Sequence, residues 1–484
     1  MLTYDLSEKG NLAIYEYLYQ CIKEDIINGR LAGGAKLPSK RKMAQQHQVS
    51  LKTVENAYEQ LLLEGYITAK EKQGYFVMET ERWSAGMQNT AKTRIRSYAE
   101  QVAGRQEKES LPVVDLTSNR AAIEKFPYDT WAKVMREVLS DRENVLLDTV
   151  PFAGVYELRA EIARYLYEYR GMDVAPEQII IGAGTEYLYG RLLQLLGRDS
   201  IYAIEDPGYH RFAKIYQANA LQWRYVEIDE EGIRMDSLRQ CGANVVHVSP
   251  GHHFPTGIIM PVGRRQEILD WAEEELGRYI IEDDYDSEFR FCKRPIPSIQ
   301  SMDKNHRVIY FNTFSKTIAP SIRISYMVLP TALMDRYIST MNFYACTVSA
   351  FEQYALAEFM RKGYFDRHIH RMKNFYRNKR DKILEVLQQS PLCERVEILE
   401  KGAGNHFLMR VTTDLSDTEL KWVAAQNSIR LDCLSEYCVQ NKEKYAHTII
   451  VNYSDIEEES FRWALELIAQ TLGISCPLPG GGKL

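Results

Sequence analysis

At 484 residues the chain is too long for one ordinary core, so two or more domains are expected. Its 45% hydrophobic and 26% charged residues describe a soluble globular protein, and its eight cysteines, with no CxxC pair, fit neither a zinc site nor a small disulfide framework. No apolar run reaches the roughly 20 residues of a membrane span, and Met1 to Gly10 lacks a signal peptide's apolar stretch, so a cytoplasmic protein with no membrane partner is expected.

Three zones follow one another. Residues 1–80 carry short helical patterns, 81–112 read as a polar linker, 113–476 alternate apolar runs with helical patterns, and 477–484 read as a flexible tail. In the first zone Ile14, Leu18, Ile22 and Ile26 share one helix face, and Gly29 ends that helix. Ser39 is placed to cap a helix from Lys40 through Gln46, and Ser50 a second one beginning LKTVENAY, with Val54, Tyr58 and Leu61–Leu62 facing inward. A tight turn at Gln48-Val49 joins them into a helix-turn-helix. ITAKEKQGYFV then reads as two strands about a turn at Lys72-Gln73-Gly74, a wing.

The overall charge of −6 hides a local basic cluster: Lys36, Lys40, Arg41, Lys42 and Lys52 occur with no acidic residue between Lys36 and Lys52. Such a cluster is either a solvated face or a set of phosphate and groove contacts. The runs G-x-L-x-x-G-x-x-L-P-S-x-R, V-S-x-x-T-V-x-x-A-Y and E-G-Y…G-Y-F-V closely resemble the GntR-type winged helix. That resemblance implies operator DNA as partner, with Lys36, Ser39, Lys40, Arg41, Lys52 and Thr53 at the DNA and Gly74 letting the wing approach a groove.

In the large zone QIIIGAGTEY, SIYAIEDPGYHR, NVVHVSPGHHFPTG, RYIIEDDYDSEF and RVIYFNTFSKT each run from strand into polar loop, where an open α/β sheet binds ligands. Lys316, flanked by Ser315 and Thr317 and followed by Arg323, suits a phosphorylated aldehyde: the amine forms a Schiff base while hydroxyls and guanidinium hold phosphate. Asp283 ends a strand where a carboxylate keeps a pyridine nitrogen protonated, Tyr285 can bond the phenolic oxygen, and Tyr209 offers a stacking face. Gly184-Thr185 opens a helix after a strand, a phosphate position. Singly, each has a plain structural explanation; together and in this order they do not. His252-His253 and the Arg367–His370 run do not converge as ligands, and no metal site is expected.

PFAGVYELRAEIARYL, GAGTEYL, EDPGYHR, PTG, EDDYDSEF and NTFSKTIAPSIRISY resemble fold-type I aminotransferases, and with its head the chain resembles MocR/GabR-type regulators. The fold class expected is therefore multi-domain: an N-terminal winged helix-turn-helix plus an α/β PLP-dependent transferase domain. The resemblance implies pyridoxal 5′-phosphate on Lys316. Asp283 then pairs with the ring nitrogen, Tyr285 serves O3′ and Tyr209 stacks. Gly184, Thr185, Thr313, Ser315 and Arg323 take the phosphate. It also implies a homodimer whose heads pack on the partner's body.

The sequence departs from aminotransferases at three places. Phe254 stands where an asparagine precedes P-T-G, Thr149 where a tyrosine is common, and Ile449–Val451 where relatives carry a carboxylate-binding arginine. Arg211 and Arg430 are the remaining candidates for an effector's anionic group. These departures favour sensing of an amino compound, or of PLP itself, through an external aldimine, over efficient transamination. An active aminotransferase with an accessory DNA-binding head is the alternative; a body that no longer holds PLP is a third.

Overall fold

The structure is a computed structural model that describes residues 4–10, 12–78, 114–118, 122–291, 296–400, 402 and 404–473. The expected linker, 81–112, and tail, 477–484, lie outside the described residues. The chain divides into two compact units, Met1–Glu109 and Ser110–Leu484.

In the first unit α1 (Ile14–Ile27), α2 (Lys40–His47) and α3 (Leu51–Leu63) precede a hairpin of β1 (Ile67–Lys70) and β2 (Gly74–Val77). Ser39 Oγ accepts from Lys42 N and Ser50 Oγ from Thr53 N, so both short helices begin on a side-chain cap. Gln48, left-handed at φ 54°, ends α2 and makes the turn between them. Leu18, Ile22 and Ile26 pack against Val54, Tyr58 and Leu61. Ile14, at the first turn of its helix, stays 38% exposed, so the buried stripe begins at Leu18 rather than at the predicted position.

The second unit is built on an eight-stranded sheet. In chain order its elements are β3 (Ile179–Ala183), α4 (Thr185–Leu196), β4 (Ile201–Asp206), α5 (His210–Ala218), β5 (Gln222–Asp229), β6 (Gly232–Ile233), β7 (Val245–Val248), β8 (Tyr279–Asp283), β9 (Val308–Thr313) and β10 (Ile324–Val328). The spatial order is β3-β10-β9-β8-β7-β4-β5-β6. The run from β9 to β5 is parallel, and β10 lies antiparallel between β3 and β9. The strands β3, β4 and β7 to β10 are mostly buried on both faces, which is why they read as apolar runs, while β5, towards the sheet edge, is partly exposed. Ile179 and Ile181 enter one core and Ile180 the other, as strand alternation requires.

A 25-residue helix, α6 (Tyr364–Gln388), leads to a smaller antiparallel sheet of β11 (Val396–Leu399), β12 (His406–Val411), β13 (Asp432–Cys433) and β14 (Thr448–Asn452). Phe365 of α6 belongs to the large-sheet core, whereas Met372, Tyr376 and Ile383 join the core under the small sheet. Among the described residues no helix is long and apolar enough to cross a membrane.

Candidate functional site

The carboxyl ends of β3, β4, β7, β8 and β9 open into one cavity of about 470 Å³. It is lined by every position that the sequence assigns to the cofactor: Gly184, Thr185, Tyr209, Asp283, Tyr285, Thr313, Ser315, Lys316 and Arg323. Residues up to 139 positions apart (Arg323 minus Gly184) meet because parallel strands aim their ends the same way.

Lys316 sits in a one-turn helix directly after β9, where Thr313 Oγ1 caps the turn by accepting from Ser315 N at 3.2 Å. Burial pushes the Lys316 amine down from its ordinary pKa, opposed by the Asp286 carboxylate. A lysine so placed is biased towards its neutral, nucleophilic form.

Asp283, the last residue of β8, is raised to a pKa of about 7 chiefly by burial; the neighbouring Asp284 and Asp286 add to this, and the Tyr189 hydroxyl opposes it. Its Oδ1 and the Tyr285 hydroxyl are both buried without a hydrogen-bond partner. Unpaired buried polar atoms are costly, and two in one cavity are matched by a ligand that brings an N–H and an oxygen. A protonated pyridine ring with an adjacent phenolic oxygen supplies both, so the residues present fit pyridoxal phosphate.

The cavity is shaped as closely at Gly184 and Arg323. Gly184 has φ +95°, and a Cβ there would collide with the Arg323 guanidinium. Only glycine brings the start of α4 this near the arginine. Thr313 Oγ1 also receives Ser325 Oγ at 2.8 Å, and Ser315 Oγ donates to Ile322 O at 2.9 Å, so both hydroxyls are oriented by the β9–β10 connection.

Of the two effector candidates, Arg211 lines the cavity and pairs with Glu186 at 2.9 Å; Glu186 also reaches Arg323 at 3.6 Å. Arg430 is not brought there. It lies in a two-residue strand paired with Val114–Asp115, between buried Ile429 and Leu431, and alternation turns it outward. Phe254 packs edge-on against Tyr209 at 5.6 Å and Tyr437 at 5.3 Å, forming an apolar wall where aminotransferases commonly place an amide.

The sequence reading missed Thr117, Glu186, Tyr189, Phe212, Ser249 and Tyr437 in the lining. Tyr189 had a signal, since it follows Thr185 by one helical turn and shares its face. Tyr437 belongs to the small-sheet region and had none. His252 bonds Asp286 at 2.8 Å, and His253 bonds Thr256 at 2.6 Å with Glu205 at 3.3 Å, so both engage protein groups.

In the first unit Lys36, Ser39, Arg41 and Lys52 are exposed, while Lys40 and Thr53 are half-buried. Lys40 lies over the Tyr75 ring at 5.5 Å and Lys36 over Phe76 at 5.7 Å, so the wing's aromatics brace the basic cluster. The wing turn falls at Glu71-Lys72-Gln73, one residue earlier than expected, with Lys72 left-handed at φ 59°, and Gly74, at φ +104°, opens β2 opposite Lys70.

A winged helix-turn-helix in one unit and an aminotransferase-type cavity in the other define a two-part regulator architecture. Comparison with known proteins agrees. Residues 14–77 match the bacterial regulatory proteins of the gntR family, and residues 112–443 match aminotransferase class I and II. The chain is 38% identical over 88% of its length to the uncharacterized HTH-type transcriptional regulator YdeL of Bacillus subtilis, covering 90% of that protein. It is 30% identical over 94% of its length to the probable rhizopine catabolism regulatory protein MocR of Rhizobium meliloti, covering 93% of it. The multiple substrate aminotransferase of Thermococcus profundus superposes with a TM-score of 0.65 at 26% identity, over 75% of this chain and 92% of that one. The chain belongs to the MocR-type family of HTH transcriptional regulators, with a gntR-type DNA-binding domain and a fold-type I aminotransferase domain.

Proposed function

We propose that this chain is a pyridoxal 5′-phosphate-dependent regulator whose body senses a small amino compound and whose head reads operator DNA. The observation that carries the reading is the pair of partnerless buried oxygens, Asp283 Oδ1 and Tyr285 Oη, in the same cavity as Lys316. When bound, the cofactor supplies an aldehyde that condenses with amines and an electron-withdrawing ring. In this reading Lys316 holds it covalently, Asp283 pairs with the ring nitrogen and Tyr285 donates to the phenolic oxygen. Tyr209 lies along the ring, and Gly184, Thr185, Thr313, Ser315 and Arg323 take the phosphate.

Sensing would require only that Lys316 yield its place to an incoming amine while Arg211 exchanges Glu186 for the compound's anionic group. The Asp286 carboxylate acts on the Lys316 amine, so freeing that amine would alter the charge balance beyond β8's end. Phe254 and the apolar β14, with Ile449–Val451 buried, offer no second anion clamp, which favours recognition over turnover. The working unit we take to be a cytoplasmic homodimer with exchanged heads, as the family resemblance implies.

The test is the visible absorption of the full-length protein, with and without added cofactor, in the natural chain and in Lys316→Ala. A band present in the first and lost in the second is expected, and amino compounds that shift it should change operator affinity without yielding keto acid. Keto-acid formation with a competent second half-reaction would establish an active aminotransferase with an accessory head instead. No band even with added cofactor would refute PLP dependence.

A further inference from the structure

From Tyr189 in the cavity wall runs a buried polar chain that the reading above does not use. His247, the third residue of β7, is flanked by two tyrosines: Tyr216 Oη lies 2.9 Å from its Nδ1 and Tyr189 Oη 3.2 Å from its Nε2. The three are 3%, 1% and 3% exposed (His247, Tyr216, Tyr189), in an otherwise apolar layer with Phe311 stacked on Tyr189 at 4.4 Å and Phe212 against His247 at 3.9 Å. Burial drives His247 down to a pKa of about 3, so it is the neutral imidazole, with one N–H donor and one bare nitrogen. Tyr189 lines the cavity and its hydroxyl acts on the Asp283 carboxylate, lowering the pKa that burial raises.

One arrangement of protons carries the chain through to Asp283. If Tyr189 gives its O–H to Asp283, its oxygen must accept from His247 Nε2–H. His247 Nδ1 is then the bare nitrogen, and it accepts the Tyr216 O–H. We propose that Tyr216 and His247 are positioning residues for the cofactor's ring nitrogen: they fix the imidazole in its Nε2–H form, so that Tyr189 always presents a donor to Asp283. That donor favours the ionised carboxylate and leaves Oδ1 without a protein partner, against burial and the carboxylates of Asp284 and Asp286, which favour protonation. A tyrosine alone could rotate its hydroxyl either way; the chain behind it removes that freedom. The inference rests on the cofactor reading above.

The experiment uses the full-length apoprotein, natural and Tyr216→Phe, titrated with pyridoxal phosphate and with its 1-deaza analogue, whose ring nitrogen is replaced by C–H. Tyr216 does not line the cavity, and its hydroxyl meets His247 Nδ1, so removing that hydroxyl alters the chain without touching the ligand. One weakened hydrogen bond predicts about threefold to tenfold weaker binding of pyridoxal phosphate. Binding of the deaza analogue should stay within about twofold, because it makes no ring-nitrogen contact with Asp283. Equal weakening of both, or of neither, overturns the proposal. If the natural protein takes up neither compound, it is the PLP reading that falls. Should the variant fail to fold, nitrogen-15 chemical shifts of the natural protein with labelled histidine decide independently. The His247 proton must reside on Nε2, and an Nδ1–H form would refute the chain.

Discussion

The guanidinium of Arg323 occupies the space into which a side chain on Gly184 would project. Two residues at the ends of neighbouring strands thus interlock, the glycine by lacking a Cβ and the arginine by filling the gap. Gly184→Ala must therefore move Arg323 and also adopt φ +95° with a side chain, at about 1–3 kcal/mol of backbone strain. We expect at least about tenfold weaker cofactor uptake, together with a lower urea midpoint in the apoprotein. Unchanged affinity would mean that Arg323 does not serve the phosphate.

Arg211 offers a cleaner separation of effector from cofactor. Replacing it with leucine removes a charge-assisted contact, and about tenfold to a hundredfold weaker response to anionic amino compounds is expected. The visible band of the cofactor-loaded protein should persist, since Arg211 is not needed for the cofactor. Loss of the band in Arg211→Leu would place this arginine at the phosphate instead.

Asp284 and Arg170 form a nearly solvent-free ion pair, their side chains 1% and 7% exposed, and Tyr310 Oη donates to the same carboxylate at 2.7 Å. Deleting one partner of such a pair leaves an uncompensated buried charge. Asp284→Ala is expected to lose about 3–5 kcal/mol of unfolding free energy, read by urea denaturation of the apoprotein. A loss below about 1 kcal/mol would show that the pair contributes as little as an exposed one.

Glu205, buried at the end of β4, is raised by burial to a pKa of about 8, with Ser249 N–H donation opposing. Its folded pKa exceeds its unfolded one, so between these values the folded state binds more protons than the unfolded state. The contribution to stability is greatest below the unfolded pKa and declines as pH rises towards 8. Glu205→Gln, which cannot ionise, should therefore gain stability relative to the natural protein as pH rises from about 4.5 to 8. A difference independent of pH would show that Glu205 titrates normally.

In the first unit Arg41 and Lys52 are exposed on the two short helices. Each change to alanine should weaken binding to all DNA sequences and reduce the slope of log affinity against log salt by about 1 if the residue meets phosphate. A selective loss at one operator base pair, with the slope unchanged, would instead mark base reading.

How much of this was legible follows the range of the signals. Ser39 and Ser50 announce helix starts because a cap acts within three residues, and both caps form. Most of the cavity's main residues were readable because they stand at or just after the end of an apolar strand. Arg430 was misplaced: nothing in SIRLDC says that a strand only two residues long holds it, yet that strand alone decides which way the arginine faces. Tyr189, His247 and Tyr216 were unreadable as a set because their connection runs across the sheet between β7, α4 and α5. Phe254 was read as a lost amide; the structure adds that it builds a wall with Tyr209 and Tyr437.

The helix α6 carries one last implication. His368, in its second turn, bonds the carbonyl of Thr317, the residue after Lys316, at 2.9 Å, while its far half is embedded under the small sheet. Its 25 residues extend about 37 Å at the helical rise per residue. The peptide that bears Lys316 and the small-sheet core are thus mounted on a single girder. A tilt at either end is felt at the other without passing through any loop.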